Sequence, residues 1–332
     1  MIESVRPDTK HFAIPMLLFM WTARDPTRSR CDSIVKKMPP PKKTRSLTFR
    51  LVRGLLVAIA GAYLLLVGAI WHWQARAIFH PSRIVDTTPL NSGVKFDDVR
   101  LPLQGDQLAG WWVPAEDPHS GTLLYLHGNA ANVAANLDHV LRLRSAGLNV
   151  FIIDYRGYGS STGGPPREKL LYEDAERAWQ YLVAERNIPP AHIAIYGHSL
   201  GSAVAIDLAS KHPEAGALIT EGALTSIADV ADRFSFTAYL PVRLILTERF
   251  DSISKIGAIH LPTLILHGEA DRMNPPLMAR RLYDAAPGPK QIALIAGGGH
   301  EDSAVVNPTA YFAALNGFLS HYGFKPVGGA AR

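Results

Sequence analysis

Ile193-Ala194-Ile195-Tyr196-Gly197-His198-Ser199-Leu200-Gly201-Ser202 reads as a short apolar strand, then Gly-x-Ser-x-Gly, then a small-residue helix beginning near Leu200. A strand that turns sharply into a helix leaves one Ser at its tip, the nucleophile-elbow pattern. The glycines fit that geometry. A tight turn at Ser199 brings the positions two before and two after it together, where a Cβ would clash. The helix N-terminus behind Ser199 supplies partial positive charge and N–H groups where an oxyanion would form.

Working outward, strands and helices alternate. Residues 122–126, 149–153, 193–196, 217–220, 263–267 and 291–295 read as short, nearly all-apolar strands. Helical spacing runs through 132–145, 169–186, 200–211, 277–286 and 308–321. Such alternation predicts parallel crossovers, and the apolar strands predict a sheet covered on both faces. Two strands at 94–103 and 107–113, separated by Gln104-Gly105-Asp106, predict an antiparallel hairpin at one sheet edge. Trp111 and Trp112 in the second are read as packing residues. Residues 222–260 break the rhythm with an apolar, partly helical insertion, read as a cap over the site rather than a larger crossover.

A Ser nucleophile needs a neutral imidazole to take its proton and a carboxylate to hold that imidazole. On an elbow of this kind they follow in the order Ser, acid, His, each on a loop after a strand. Leu264-Ile265-Leu266-His267-Gly268-Glu269-Ala270-Asp271 is a strand and a loop carrying Asp271; Ile292-Ala293-Leu294-Ile295-Ala296-Gly297-Gly298-Gly299-His300 is a strand, three glycines and His300. All three residues are then expected at the carboxyl ends of parallel strands, where open α/β sheets build sites. Glu269, Glu221 and Asp302 are rival carboxylates. His198 is read as packing and His267 as ordering its own loop. The backbone N–H groups of Leu200 and of Asn129, in Leu126-His127-Gly128-Asn129-Ala130-Ala131-Asn132, are the expected oxyanion donors. Asp154-Tyr155-Arg156-Gly157-Tyr158-Gly159-Ser160-Ser161-Thr162-Gly163 lacks the spacing of a nucleotide loop, so no cofactor is expected, and Asp154 and Arg156 are read as loop braces. No His, Asp and Glu set has metalloprotease spacing, so no metal is expected.

Charge and hydropathy separate the N-terminal part. Residues 1–53 carry 12 Lys and Arg against 4 Asp and Glu, leaving 22 against 25 for the rest of a chain whose net charge is +5. The basic character therefore lies in this arm, and no nucleic-acid partner is expected. Residues 54–73 hold no Asp, Glu, Lys or Arg and, at ~1.5 Å per helical residue, match the ~30 Å hydrocarbon thickness. Trp71 and Trp73 suit an interfacial belt, and the Lys and Arg before the span predict a cytoplasmic N-terminus with the remainder on the outer side. A cleaved signal peptide and a buried core helix are the competing readings; Ala75-Arg76-Ala77 is a poor cleavage site, which favours an uncleaved anchor. Met38 is a candidate true start, which would leave 1–37 outside the mature protein. The domain reading is thus a basic arm (1–53), anchor (54–73), linker (74–93), catalytic domain (94–322) and tail (323–332). Cys31, the only cysteine, excludes an intramolecular disulfide and a cysteine nucleophile in the main domain.

His127-Gly128-Asn129, Asp154-Tyr155-Arg156-Gly157-Tyr158-Gly159, Gly197-His198-Ser199-Leu200-Gly201, His267-Gly268-Glu269-Ala270-Asp271 and Gly299-His300 together closely resemble the α/β-hydrolase superfamily. The likeness runs from about Val94 to Tyr322. With Ile78-Phe79-His80-Pro81-Ser82-Arg83 after the apolar segment, the chain resembles a membrane-anchored, serine-aminopeptidase-like subgroup. The resemblance implies an α/β-hydrolase fold: a mostly parallel sheet with helices on both faces and a small helical cap, preceded by one transmembrane helix. It also implies a serine hydrolase, with the substrate open. The leading expectation is hydrolysis of a carboxylic or thio ester, small or lipid-like, through an acyl-enzyme on Ser199 with Asp271 and His300. A peptidase with the same triad, or a tethered binding protein without catalysis, are the alternatives. Nothing in the sequence fixes an oligomeric state.

Overall fold

A computed structural model describes residues 46–117 and 119–324; the 1–37 segment, Met38 and the end of the tail lie outside them. Its elements are α1 (Leu47–Ile78), β1 (His80–Pro81), β2 (Asp97–Leu103), β3 (Asp106–Val113), β4 (Thr122–Leu126), β5 (Ala130–Ala131), α2 (Leu137–Ser145), β6 (Asn149–Asp154), α3 (Glu168–Gln180), β7 (Ile193–His198), α4 (Leu200–Lys211) and β8 (Ala217–Glu221). The short α5 (Ile227–Ala231), α6 (Val242–Ile245) and α7 (Ser252–Lys255) follow, then β9 (Thr263–Gly268), α8 (Pro276–Ala285), β10 (Lys290–Ile295), α9 (Ser303–Val306) and α10 (Pro308–His321).

Eight strands form one sheet in the order β10-β9-β8-β7-β4-β6-β3-β2. Pairings from β10 through to β6 are parallel, while β3 runs antiparallel to both β6 and β2, so the hairpin takes the edge. β4, β6, β7, β8 and β9 are buried at every residue, in keeping with their nearly all-apolar sequences. One face packs against α3, α4 and α8 through Leu171, Ala203 and Leu282; the other packs against α2 and α10 through Val140, Leu315 and Phe318. The chain leaves β4 in one direction towards β6 and returns to its other side as β7. The reversal opens a crevice at the carboxyl ends of these strands.

Three expectations need correction. The 132–145 helix starts only at Leu137, after a 3-10 turn Ala134–Asn136 that Asn132 Oδ1 anchors by accepting Ala134 N–H. The 169–186 helix leaves α geometry after Gln180 and widens into a π turn, Tyr181–Glu185. Residues 74–93, read as a linker, are instead built into the fold. Ala75 and Ile78 pack on the core, Phe79 is buried edge-on to Phe250, and β1 pairs with β5. The proline-bearing polar sequence conceals one aromatic anchor, Phe79, and that burial holds the segment down.

α1 is long and apolar enough to cross a membrane, and none of its most hydrophobic window is buried. It exceeds the 54–73 window at both ends, because Arg53 and Arg76 are good helix formers and nothing between Leu47 and Ile78 breaks the helix.

Candidate active site

β7 ends at His198 and α4 begins at Leu200, leaving Ser199 alone between them with φ +52° and ψ −122°. A side chain at positive φ is strained, and such strain persists only where the surroundings impose it. Here Ser199 N–H donates to the Glu221 carbonyl at 2.9 Å, and Ser202 Oγ donates to the Gly197 carbonyl at 2.9 Å. The glycines are steric necessities. A Cβ on Gly197 would lie 2.2 Å from the Gly201 carbonyl oxygen, and one on Gly201 would lie 2.0 Å from that of Leu126. Gly201→Ala is therefore expected to cost about 3 kcal/mol of stability, since backbone must move to admit the methyl. A lowered urea midpoint checks it, and an unchanged midpoint would contradict the close approach.

Ser199, His300 and Asp271, drawn from three loops, form one hydrogen-bonded chain. Asp271 Oδ2 lies 2.7 Å from His300 Nδ1, and His300 Nε2 lies 2.8 Å from Ser199 Oγ. An ionised carboxylate only accepts, so Nδ1 carries the hydrogen and Nε2 is left to accept from the hydroxyl. Asp271 Oδ1 accepts the N–H groups of Met273 and Asn274, both at 2.8 Å. Burial disfavours ionised Asp271, but the His300 hydrogen bond and charge, the Asn274 N–H and nearby His267 outweigh it and hold the carboxyl below its ordinary range. Burial likewise disfavours an imidazolium at His300. The Asp271 hydrogen bond and charge, with Glu301 and Glu221, outweigh that and hold it above its ordinary value. This arrangement can take a proton from Ser199 and stabilise the cation that results.

None of the rival carboxylates hydrogen-bonds to the His300 ring, which meets Asp271 and Ser199. Glu269 is exposed. Asp302 Oδ1 accepts Gly299 N–H, bracing the His300 loop. Glu221 Oε2 accepts the hydroxyls of Tyr196 at 2.5 Å and Tyr311 at 2.7 Å. His198 is buried, its ring against His139 and His300. His267 Nε2 lies 2.7 Å from the Asn274 carbonyl, within its own loop. His139, His198 and Glu221 bring metal-ligand-type atoms within 4.8 Å of one another behind the elbow. There His139 Nδ1 faces the Tyr125 hydroxyl, and burial pushes the His139 ring down to about 3, so it is neutral.

Asn129 and Leu200 line the same cavity as Ser199. The Gly128–Asn129 loop lies against the elbow, where a Cβ on Gly128 would come 3.3 Å from Ser199 Cβ. His127 Nδ1 meets the Gly128 carbonyl at 2.8 Å, so the trans Asn129 N–H of that peptide points the other way. The loop is held by contacts that sequence reading missed. The Asn129 carbonyl accepts the Tyr158 hydroxyl at 2.8 Å and His80 N–H at 2.9 Å, and Asn129 Nδ2 donates to the Ile78 carbonyl at 2.7 Å. Tyr155 donates to the His127 carbonyl at 3.1 Å. Asp154 does brace, accepting Val133 N–H at 2.9 Å, and Arg156 pairs with Asp174 at 2.6 Å. The motif showed Tyr155 and Tyr158, but not where their hydroxyls reach.

The cavity above Ser199 has a volume of about 450 Å³. The 222–260 insertion roofs it through Phe234, Phe236 and Leu240, and α1 supplies a wall through Ile70, Trp73, Gln74 and Ala77. Among the described residues, no Asp, Glu, Lys or Arg lines it.

A sequence profile described as serine aminopeptidase, S33, matches residues 117–255. An uncharacterized protein of Mycobacterium tuberculosis is 35% identical over 255 residues, covering 76% of this chain and 89% of that protein. Alpha/beta hydrolase domain-containing protein 17B of Xenopus tropicalis is 34% identical over 200 residues, covering 60% of this chain and 67% of that protein. Among solved structures, an esterase from Pyrococcus furiosus superposes with a TM-score of 0.60 at 21% identity, covering 74% of this chain and 97% of that one. That likeness is one of fold.

Proposed function

Because this chain belongs to the α/β-hydrolase superfamily, we propose that it is a serine hydrolase that cleaves carboxylic or thio esters with an apolar acyl group. The observation that carries this reading is the unbroken hydrogen-bonded chain from Ser199 Oγ through His300 to Asp271 beneath an uncharged cavity. Ser199 Oγ attacks the ester carbonyl carbon and its proton passes to His300 Nε2. The oxyanion accepts hydrogen bonds from the N–H groups of Asn129 and Leu200, each worth on the order of 3 kcal/mol in the transition state. The C–O or C–S bond breaks, and His300 returns the proton to the leaving alcohol or thiol. Water, deprotonated by His300, then attacks the acyl-enzyme, releasing the acid and restoring Ser199. Asp271 orients the imidazole throughout.

The cavity speaks against an aminopeptidase. Holding a substrate α-ammonium out of water calls for a carboxylate beside it, and no described lining residue has one. Residues 54–73 are read as a membrane span, with 1–53 in the cytoplasm and the hydrolase domain on the other side. The basic residues before the span support this orientation. The test is to label membranes with a fluorophosphonate probe and compare turnover of a short acyl ester with that of an aminoacyl amide. Labelling with ester turnover is expected; absent labelling of folded protein would remove the serine-hydrolase reading, and amide turnover at the ester's rate would favour a peptidase.

His300 acts as a base only when neutral. Its pKa lies above the ordinary 6.5, so kcat/KM is expected to fall as pH drops, with a midpoint above 6.5. A rate profile from acid to mildly alkaline pH checks this, and a midpoint below 6.5 would contradict it.

A further inference from the structure

The insertion does more than roof the cavity. Phe234-Ser235-Phe236-Thr237-Ala238-Tyr239-Leu240-Pro241-Val242 carries no charge and is bounded by Arg233 and Arg243. Tyr239 is 81% exposed and Leu244 is 85% exposed. This apolar tip lies along α1. The Tyr63 hydroxyl donates to the Tyr239 carbonyl at 3.0 Å, Gln74 Nε2 donates to the Ile245 carbonyl at 3.1 Å, and Thr247 N–H donates to Gln74 Oε1 at 2.7 Å. Tyr63 and Gln74 are separated by ~16 Å of helix at ~1.5 Å per residue. That is about half the ~30 Å hydrocarbon thickness. A tip hydrogen-bonded to Tyr63, inside the 54–73 span, is therefore carried into the leaflet by the helix it rests on.

Its backbone suits that place. Non-helical chain in lipid needs internal partners, and here the N–H groups of Phe234, Thr237, Leu240 and Val242 bond to carbonyls within 231–240, with Thr237 Oγ also turned onto the Ala231 carbonyl. The flanking cations have local partners: Arg243 pairs with the carboxylates of Asp229 and Asp232, and Arg233, still charged, donates to the carbonyls of Arg272 and Met273. The cavity lies between this tip and α1, with Ser199 at its floor, and its volume of about 450 Å³ is that of a small-molecule site.

We propose that the 234–242 tip is immersed in the leaflet beside α1, and that the substrate is an ester of a bilayer lipid whose acyl chain reaches Ser199 sideways from the leaflet. Ile70, Trp73 and Ala77 make the anchor helix a wall of the acyl site, so the helix sets chain preference as well as location. This rests on the serine-esterase and membrane-span readings above.

The experiment uses the full chain in phosphatidylcholine vesicles, with nitrophenyl butyrate as the water-soluble ester and nitrophenyl palmitate as the bilayer-dissolved one. Leu244→Asp, which adds a charge two residues past the tip, at a side chain 85% exposed and outside the cavity lining, is expected to lower palmitate turnover at least roughly tenfold while butyrate turnover stays within about twofold. Ile70→Trp, which narrows the cavity from the helix side, is expected to lower the palmitate-to-butyrate ratio by roughly tenfold. A fluorophore on Tyr239→Cys, in a Cys31→Ser background, is expected to be quenched by lipids carrying nitroxide on their chains. Parallel loss of both esters in Leu244→Asp, an unchanged ratio in Ile70→Trp, or an unquenched fluorophore would each overturn the proposal. Wild type that hydrolyses neither ester would instead overturn the esterase reading, with the quenching still reporting on the tip.

Discussion

Ser199→Ala is expected to lower ester turnover by about a millionfold, leaving only what the oxyanion donors and binding supply. Without Oγ no acyl-enzyme forms, so labelling by a fluorophosphonate should vanish with the turnover. The fold should survive. Ser199 is held at φ +52° by Gly197, Gly201 and the Glu221 carbonyl, none of which uses its hydroxyl, and Ala carries the same strain as Ser. Unfolding midpoints of the two proteins should agree. Full labelling of the Ala variant would show that another residue is the nucleophile.

Asp271→Asn is expected to lower kcat by about 10⁴ for a reason visible in the hydrogen bonds. Oδ1 of residue 271 accepts two backbone N–H groups, from Met273 and Asn274. An Asn there keeps its oxygen towards those donors, which leaves its NH₂ facing His300 Nδ1. A donor at that place forces the hydrogen onto Nε2, where it points at Ser199 and cannot accept its proton. The second consequence is a shift in pH dependence. Removing the carboxylate removes the largest effect that raises the His300 pKa, so the acid limb of kcat/KM should move to lower pH. A structural role alone would lower activity without moving the limb, so the limb is the decisive measurement; an unmoved limb would deny Asp271 this role.

The apolar strands, the Gly-x-Ser-x-Gly turn and the order of Asp271 and His300 were legible because each is local. An unbroken apolar run has to be buried on both sides. A serine two residues from each of two glycines, with an apolar strand before it and a small-residue helix after it, fits a tight strand-to-helix turn. A loop after a strand end has to emerge at the sheet's carboxyl edge. That edge brings His300 to Ser199 across 101 residues of sequence, so the meeting of Ser199, His300 and Asp271 could be read from local signals once the sheet was read. What escaped had no such intermediate. Tyr158 reaches Asn129 and Tyr196 reaches Glu221 through single hydroxyls, whose partners depend on how neighbouring strands and the loops beyond them are placed.

The sequence alone therefore determined the sheet, its edge hairpin, the strand–turn–helix at Ser199, the three residues gathered there and an apolar segment long enough to cross a bilayer. Tertiary structure decided that residues 74–81 bind the Asn129 loop, that Glu221 belongs to two tyrosines and that α1 walls the cavity. The reason is that hydropathy and spacing record what each segment must bury, not what buries it. Tyr63 and Tyr239 are 176 residues apart, and Gln74 and Thr247 are 173 apart. Such contacts exist only because the assembled sheet places a helix with unspent apolar surface beside an insertion with the same need.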